Sequence, residues 1–120
     1  MKLKKICELL DCKILNAPKN YEELEIKYAG AADLMSDVLA FGKPKMLLIT
    51  GLNSPQAVRT ASVIGATAVL IVRKESIPES TVELAKDLGI VLLHANIPMF
   101  KACGELYKLG LKDPITSEDT

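Results

Sequence analysis

The stretch Met46-Leu47-Leu48-Ile49-Thr50-Gly51-Leu52-Asn53-Ser54-Pro55 decides the fold of this chain. Its first five residues form a nearly continuous apolar run, which is typical of a strand that is covered on both faces of its sheet. A loop of small residues follows, and Pro55 then suits a first helical turn, where a missing N–H costs nothing. The stretch therefore predicts a strand, a loop and a helix, in that order.

The same order recurs twice further along the chain. Apolar runs at 67–72 and 90–94 are each followed by a proline, Pro78 or Pro98, and later by a glycine that suits the left-handed end of a helix. These repeats predict strands at 46–50, 67–72 and 90–94, and helices that begin at the three prolines. Right-handed crossovers place the carboxyl ends of parallel strands at one edge, where open α/β sheets tend to bind ligands.

The first part of the chain has weaker patterns. Residues 2–10 carry apolar side chains at helical spacing, and residues 12–15 read as a weak strand. Residues 24–28 alternate apolar and charged side chains, which predicts a half-exposed strand near a sheet edge. Asp33 is predicted to cap a helix that runs to Phe41, with Leu34, Val38 and Phe41 on its inward face.

Together these elements predict the α/β fold class, as a three-layer α/β/α domain with a mainly parallel sheet of four or five strands. The predicted domain occupies residues 1–111, and residues 112–120 are predicted to form a polar tail. The chain is long enough for one domain with a substantial core, because a protein of 120 residues buries roughly two-thirds of its unfolded surface.

Charge and hydropathy exclude several classes of function. The chain has 15 basic and 15 acidic residues, so no net field draws it to nucleic acid or to an anionic membrane. No apolar run approaches the roughly 18 residues of a membrane span, and acidic residues interrupt the segment after Met1. We therefore expect a cytoplasmic protein with no nucleic-acid partner and no membrane partner.

The chain contains three cysteines, which cannot all pair with one another. Cys7, Cys12 and Cys103 have no close CxxC spacing, so a reducing compartment and buried, inert thiols are expected. A role of Cys12 or Cys103 as redox nucleophile or metal ligand is the alternative, and it requires a positive, partly exposed setting. No cofactor and no metal are predicted.

The predicted rim of strand ends holds the candidate ligand site. A loop that runs into a helix offers free N–H groups and the positive end of the helix dipole to a phosphate or carboxylate. The candidate ligand-binding residues are Thr50, Gly51, Asn53, Ser54, Arg73 and His94. The loop lacks both the glycine–lysine pattern of a P-loop and the spaced glycines of a dinucleotide site. A helix that is capped by Asn53 or Ser54 and holds no ligand is therefore the alternative.

Several strings of the sequence resemble the DRTGG domain family, and their order and spacing agree over about residues 1–111. The matching strings are Leu3 to Leu10, Tyr28 to Val38, Ile49 to Gly51, and Met99 to Leu111. The resemblance implies a fold similar to the N-terminal domain of HPr kinase. This sequence departs from the motif after which the family is named, because Gly51-Leu52-Asn53 stands where many relatives carry Gly-Asp-Arg. A role of that acidic and basic pair is therefore not carried over.

In the contexts that the resemblance implies, the domain is regulatory and forms dimers, while catalysis and most nucleotide binding belong to other domains. Such domains occur beside CBS pairs in regulated pyrophosphatases, and single-domain relatives resemble accessory proteins of redox enzymes such as iron hydrogenases. We therefore expect a non-catalytic, homodimeric regulatory domain that senses a small anionic ligand such as an adenine nucleotide. The alternatives are an adaptor for a redox or metabolic enzyme and, ranked last, a small hydrolase or phosphotransfer enzyme that uses His94 with Asp37.

Overall fold

The computed structural model describes residues 1–73 and 76–115, which contain five strands and five α-helices. The strands are β1 (Lys13–Asn16), β2 (Tyr28–Ala31), β3 (Met46–Thr50), β4 (Ala68–Val72) and β5 (Val91–Ala95). The helices are α1 (Leu3–Leu10), α2 (Met35–Phe41), α3 (Pro55–Ile64), α4 (Glu79–Leu88) and α5 (Met99–Lys108). A 3-10 turn lies at Tyr21–Glu23. The three strands and three helices predicted in the second half are confirmed to within about two residues.

The five strands form one sheet in the order β1-β5-β4-β3-β2. Strands β2, β3, β4 and β5 pair with one another in parallel, and β1 pairs antiparallel with β5 at one edge. The register aligns Thr50 of β3 with Ile71 of β4 and His94 of β5. The carboxyl ends of the four parallel strands therefore meet at a single edge, as predicted.

Alternate residues of the central strands enter two separate cores. Leu47, Leu70 and Leu93 pack on one face with helices α1 and α5. Leu48 and Val69 pack on the other face with helices α2, α3 and α4. All residues of β3 and β4 are buried, because helices cover both faces of the sheet. This arrangement confirms the predicted three-layer α/β/α class.

The strand predicted at 24–28 is wrong, because β2 begins at Tyr28 and continues to Ala31. The preceding residues pair with the N-terminal segment instead, where Ile26 N–H donates to the carbonyl oxygen of Met1 at 2.7 Å. Ile26 is fully buried in the core beneath α1, and this burial accounts for the alternation in the sequence.

The predicted cap of α2 is also wrong. Helix α2 begins at Met35 with Leu34 at the N-cap position, and no side chain caps it. Leu34 is exposed rather than inward-facing, while Val38 is buried and Phe41 is partly buried. The side chain of Asp33 is engaged elsewhere, in bonds to the neighbouring strands.

The segment that follows helix α5 contacts the sheet. Lys112, the first residue of the predicted tail, accepts a hydrogen bond from Ala29 N–H at 2.9 Å and so lies against β2. Residues 116–120 of that tail, like Lys74 and Glu75, lie outside the described residues. Among the helices that the structure describes, none combines the length and the hydropathy needed to cross a membrane.

Candidate functional site

A cleft of about 420 Å³ opens at the carboxyl edge of the sheet. Its lining consists of Asp33, Gly51, Leu52 and Arg73, which follow strands β2, β3 and β4. The hydrogen bond from Ala32 N–H to the carbonyl oxygen of Ile49, at 3.1 Å, extends the pairing of β2 with β3 and places Asp33 beside the end of β3. The cleft thus lies where parallel sheets commonly bind their ligands.

The carboxylate of Asp33 joins the ends of three strands. Its Oδ1 accepts hydrogen bonds from Gly51 N–H at 2.7 Å and from the Thr50 hydroxyl at 3.2 Å. Its Oδ2 accepts a hydrogen bond from Arg73 Nη2 at 3.1 Å, in an ion pair whose side chains are about half exposed. The Gly51 N–H lowers the pKa of Asp33 below its ordinary value, with further lowering from Arg73 and Thr50. Asp33 is therefore ionised at neutral pH.

Arg73 adopts a backbone conformation that is uncommon for its residue type. Its φ angle is 70°, in the left-handed region that costs a non-glycine residue roughly 1–2 kcal/mol. Its guanidinium lies directly against Gly51, because a Cβ atom on residue 51 would stand only 1.9 Å from Arg73 Nη2. The absence of a side chain at Gly51 therefore gives the guanidinium the room it occupies.

The loop after β3 is tied down by its own polar groups. Leu52 N–H donates to the Thr50 hydroxyl oxygen at 3.1 Å, and the Asn53 amide donates to the Ser76 carbonyl oxygen at 3.1 Å. The Asn53 carbonyl oxygen accepts a hydrogen bond from the Thr81 hydroxyl at 2.7 Å. Asn53 thus connects the loops that precede α3 and α4.

The predicted side-chain cap of α3 is wrong, and two N–H groups of the preceding loop already have partners. Ser54 occupies the N-cap position, but its side chain makes no capping hydrogen bond. The Gly51 and Leu52 N–H groups are bound by Asp33 and Thr50 respectively. An anion in this cleft would therefore meet the Arg73 guanidinium rather than these two N–H groups.

The structure brings some of the six candidate residues together and separates one of them. Thr50, Gly51 and Arg73 converge on Asp33, and Asn53 and Ser54 continue the same loop. His94 lies on β5, with β4 between it and β3. Of the six candidates, Gly51 and Arg73 are among the described residues that line the cleft. Asp37, the predicted partner of His94, lies on α2, which joins β2 to β3, whereas His94 lies on β5.

Asp33 and Leu52 line the cleft but are not among the six candidate residues. Asp33 follows strand β2 and bonds to residues that are distant in sequence, so no local sequence pattern marks it as a site residue. Leu52 and Asn53 do not supply the acidic and basic pair of the family motif. An acidic residue, Asp33, and a basic residue, Arg73, lie against this loop from two other strand ends.

The cleft holds one anionic and one cationic side chain in contact. The Asp33 carboxylate accepts three hydrogen bonds, which lower its pKa, and one of the donors is the Arg73 guanidinium. Within residues 1–73 and 76–115, no cluster of three histidine, cysteine or acidic side chains is placed to hold a metal ion. The three thiols are partly exposed rather than fully buried as expected.

Comparison with known proteins bears on the fold. No family model matches this sequence, and no curated protein matches it. A matching solved structure is that of the CBS and DRTGG domains of the regulatory region of Clostridium perfringens pyrophosphatase, complexed with the activator diadenosine tetraphosphate. The similarity has a TM-score of 0.73 at 15% sequence identity, and it covers 88% of this chain and 45% of that one. It confirms the predicted DRTGG-like fold.

Proposed function

We propose that this chain is a non-catalytic regulatory domain that binds an adenine nucleotide in the cleft between Asp33 and Arg73. The observation that carries the proposal is the Arg73 guanidinium, which is held over Gly51 at the carboxyl edge of the sheet with 47% of its side chain exposed. The similar fold of a regulatory region that was crystallised with a dinucleotide activator supports the same class of ligand.

The guanidinium of Arg73 is suited to a phosphate group. A guanidinium carries five N–H donors in a planar fork that matches phosphate oxygens, and the bond to Asp33 Oδ2 uses one of them. The left-handed backbone at Arg73 is consistent with function, because strained residues cluster at ligand sites. The volume of about 420 Å³ falls in the range of small-molecule sites, roughly 300–1,000 Å³.

Isothermal titration against AMP, ADP, ATP and diadenosine tetraphosphate tests the proposal. We expect heat from at least one nucleotide and a loss of affinity of about tenfold or more in Arg73→Ala, since hydrogen bonds to charged groups contribute roughly 1.5–3 kcal/mol. Arg59→Ala is the matched control, because Arg59 is the other arginine of the chain and is exposed on α3 outside the cleft lining. Equal affinities of the two variants would overturn the assignment of Arg73.

Gly51→Ala provides a second variant that leaves the charge of Arg73 in place. The added methyl group displaces the end of a flexible side chain rather than backbone, so the fold is expected to remain intact. The guanidinium must then leave its position over residue 51. We expect weaker nucleotide binding with little change in thermal stability. Unchanged binding in this variant would show that the observed position of the guanidinium is not the binding position.

The homodimer is proposed to form through helix α5. Phe100 is 91% exposed and Tyr107 is 74% exposed, and a spacing of seven residues places both rings on one face of the helix. Sedimentation equilibrium at micromolar concentration should show a dimer that Phe100→Ala weakens. Leu34→Ala is the control, because Leu34 is an exposed apolar residue of the opposite helical layer. A wild-type protein that remains monomeric would contradict the proposal.

A second candidate function is an adaptor for a redox or metabolic enzyme, without a small-molecule ligand. The same exposed rings of Phe100 and Tyr107 favour it, because aromatic side chains are enriched at protein interfaces. The titrations separate the two functions. If no nucleotide gives heat and the protein stays monomeric, the adaptor function becomes the better account of this surface.

A further inference from the structure

The end of helix α1 places two cysteines against each other. Asp11 adopts the left-handed conformation with a φ angle of 52°, and Cys12 N–H then donates to the Cys7 carbonyl oxygen at 3.0 Å. A hydrogen bond between these two positions, five residues apart, marks a Schellman-type helix end, which commonly adds an apolar contact between its two side chains. In this chain both of these side chains are thiols, and both pack at the margin of the same core cluster.

Both thiols are partly exposed, and their environments differ. A hydrogen bond from the Cys12 thiol lowers the pKa of Cys7, although burial and the carboxylates of Glu8 and Glu22 oppose that effect. The pKa of Cys12 is raised by the same bond and by burial. Cys103, on α5, has a pKa that burial raises. Of the three thiols, Cys7 is therefore the one best prepared to act as a nucleophile.

We propose that Cys7 and Cys12 form an oxidisable dithiol that reacts with a low-molecular-weight disulfide to close an intramolecular disulfide bond. The Cys7 thiolate attacks one sulfur of the small disulfide, which forms a mixed disulfide and releases the first small thiolate. Cys12 then loses its proton and attacks the Cys7 sulfur, which breaks the mixed disulfide and releases the second small thiolate. Two protein thiols are oxidised and one small disulfide is reduced to two thiols, so electrons and atoms balance.

Cys7 and Cys12 lie beside the hydrophobic core that α1 forms with the sheet. Leu3, Ile6 and Leu10 of α1 are buried against the sheet, and Cys7 and Cys12 pack at the margin of the same cluster. Bond formation draws the sulfurs to about 2.05 Å and constrains the turn at Asp11. The site lies on the helical layer of α1 and α5, whereas helices α2, α3 and α4 cover the other face of the sheet. It is independent of the proposed nucleotide function.

Incubation of the reduced protein with glutathione disulfide, followed by alkylation of the remaining thiols and peptide mass spectrometry, tests the proposal. We expect an internal disulfide within the peptide that contains both Cys7 and Cys12, with Cys103 fully alkylated. Cys12→Ser should instead accumulate a glutathione adduct on Cys7, because the second attack is lost. Cys103→Ser should form the same disulfide as the wild type, and Cys7→Ser should leave Cys12 largely unreacted.

Three results would overturn the proposal. One is glutathione addition to all three thiols at similar rates, and another is oxidation that yields only disulfides between two molecules. The third is a wild-type protein whose thiols all remain reduced while a free cysteine peptide under the same conditions is oxidised. Circular dichroism of each serine variant establishes that the fold is retained before these results are compared.

Discussion

Replacing Asp33 with alanine removes the acceptor that joins the ends of β2, β3 and β4. The N–H of Gly51, a buried residue, then loses its partner, and such a loss costs roughly 1–3 kcal/mol. The ion pair with Arg73 adds no more than about 1 kcal/mol, because both of its side chains are about half exposed. Since water can reach the vacated position, we expect the free energy of unfolding to fall by about 2 kcal/mol.

Urea denaturation followed by far-ultraviolet circular dichroism measures this change. With a urea slope of about 1.5 kcal/mol/M, the denaturation midpoint should fall by roughly 1.3 M. Asp37→Ala is the matched control, because Asp37 is an exposed carboxylate in the first turn of α2. That variant loses only a helix-dipole interaction of roughly 0.3–1 kcal/mol. If the two variants shift the midpoint equally, the carboxylate of Asp33 does not hold the strand ends together.

Three further predictions concern pH, backbone conformation and packing. The pKa of Asp33 is lowered in the folded state, so the ionised carboxylate stabilises the fold above its unfolded pKa. This stabilisation is lost as the pH falls through the folded pKa. The stability difference between the wild type and Asp33→Asn should therefore shrink in acid titrations from about pH 5 to pH 2. Gly89→Ala should destabilise the protein by about 1 kcal/mol in thermal denaturation, because φ is +70° at this residue. Gly104→Ala should stabilise the protein by a similar amount, because Gly104 lies inside α5, where alanine has the higher helix propensity. Leu70→Ala should lower the free energy of unfolding by about 3 kcal/mol in urea denaturation, while the exposed Leu39→Ala should change it by less than about 0.5 kcal/mol.

The second half of the fold was predictable because each strand there is buried on both faces. Complete burial requires an apolar side chain at nearly every position, and the proline and glycine residues around each helix mark its ends. Strand β2 was not predictable in the same way. Its Ala29, Gly30 and Ala31 have weak strand propensity, and the pairing with β3 determines their conformation.

The candidate site was predicted in part for a related reason. The loop at Thr50 and Gly51 and the strand end at Arg73 follow from local patterns that sequence periodicity detects. The role of Asp33 depends on bonds to residues 18 and 40 positions later in the chain, so no local pattern contains it. The contact of Cys7 with Cys12 likewise depends on where α1 ends, which the left-handed Asp11 determines.

The antiparallel pairing of β1 with β5 affects the order in which this chain can fold during synthesis. Residues 13–16 have their sheet partner at 91–95, so the first strand must wait until the last strand has left the ribosome. Ribosomes add roughly 5–20 residues per second, so β1 stays without its sheet partner for several seconds. Chaperones that bind emerging polypeptides therefore have a defined interval in which to protect this segment.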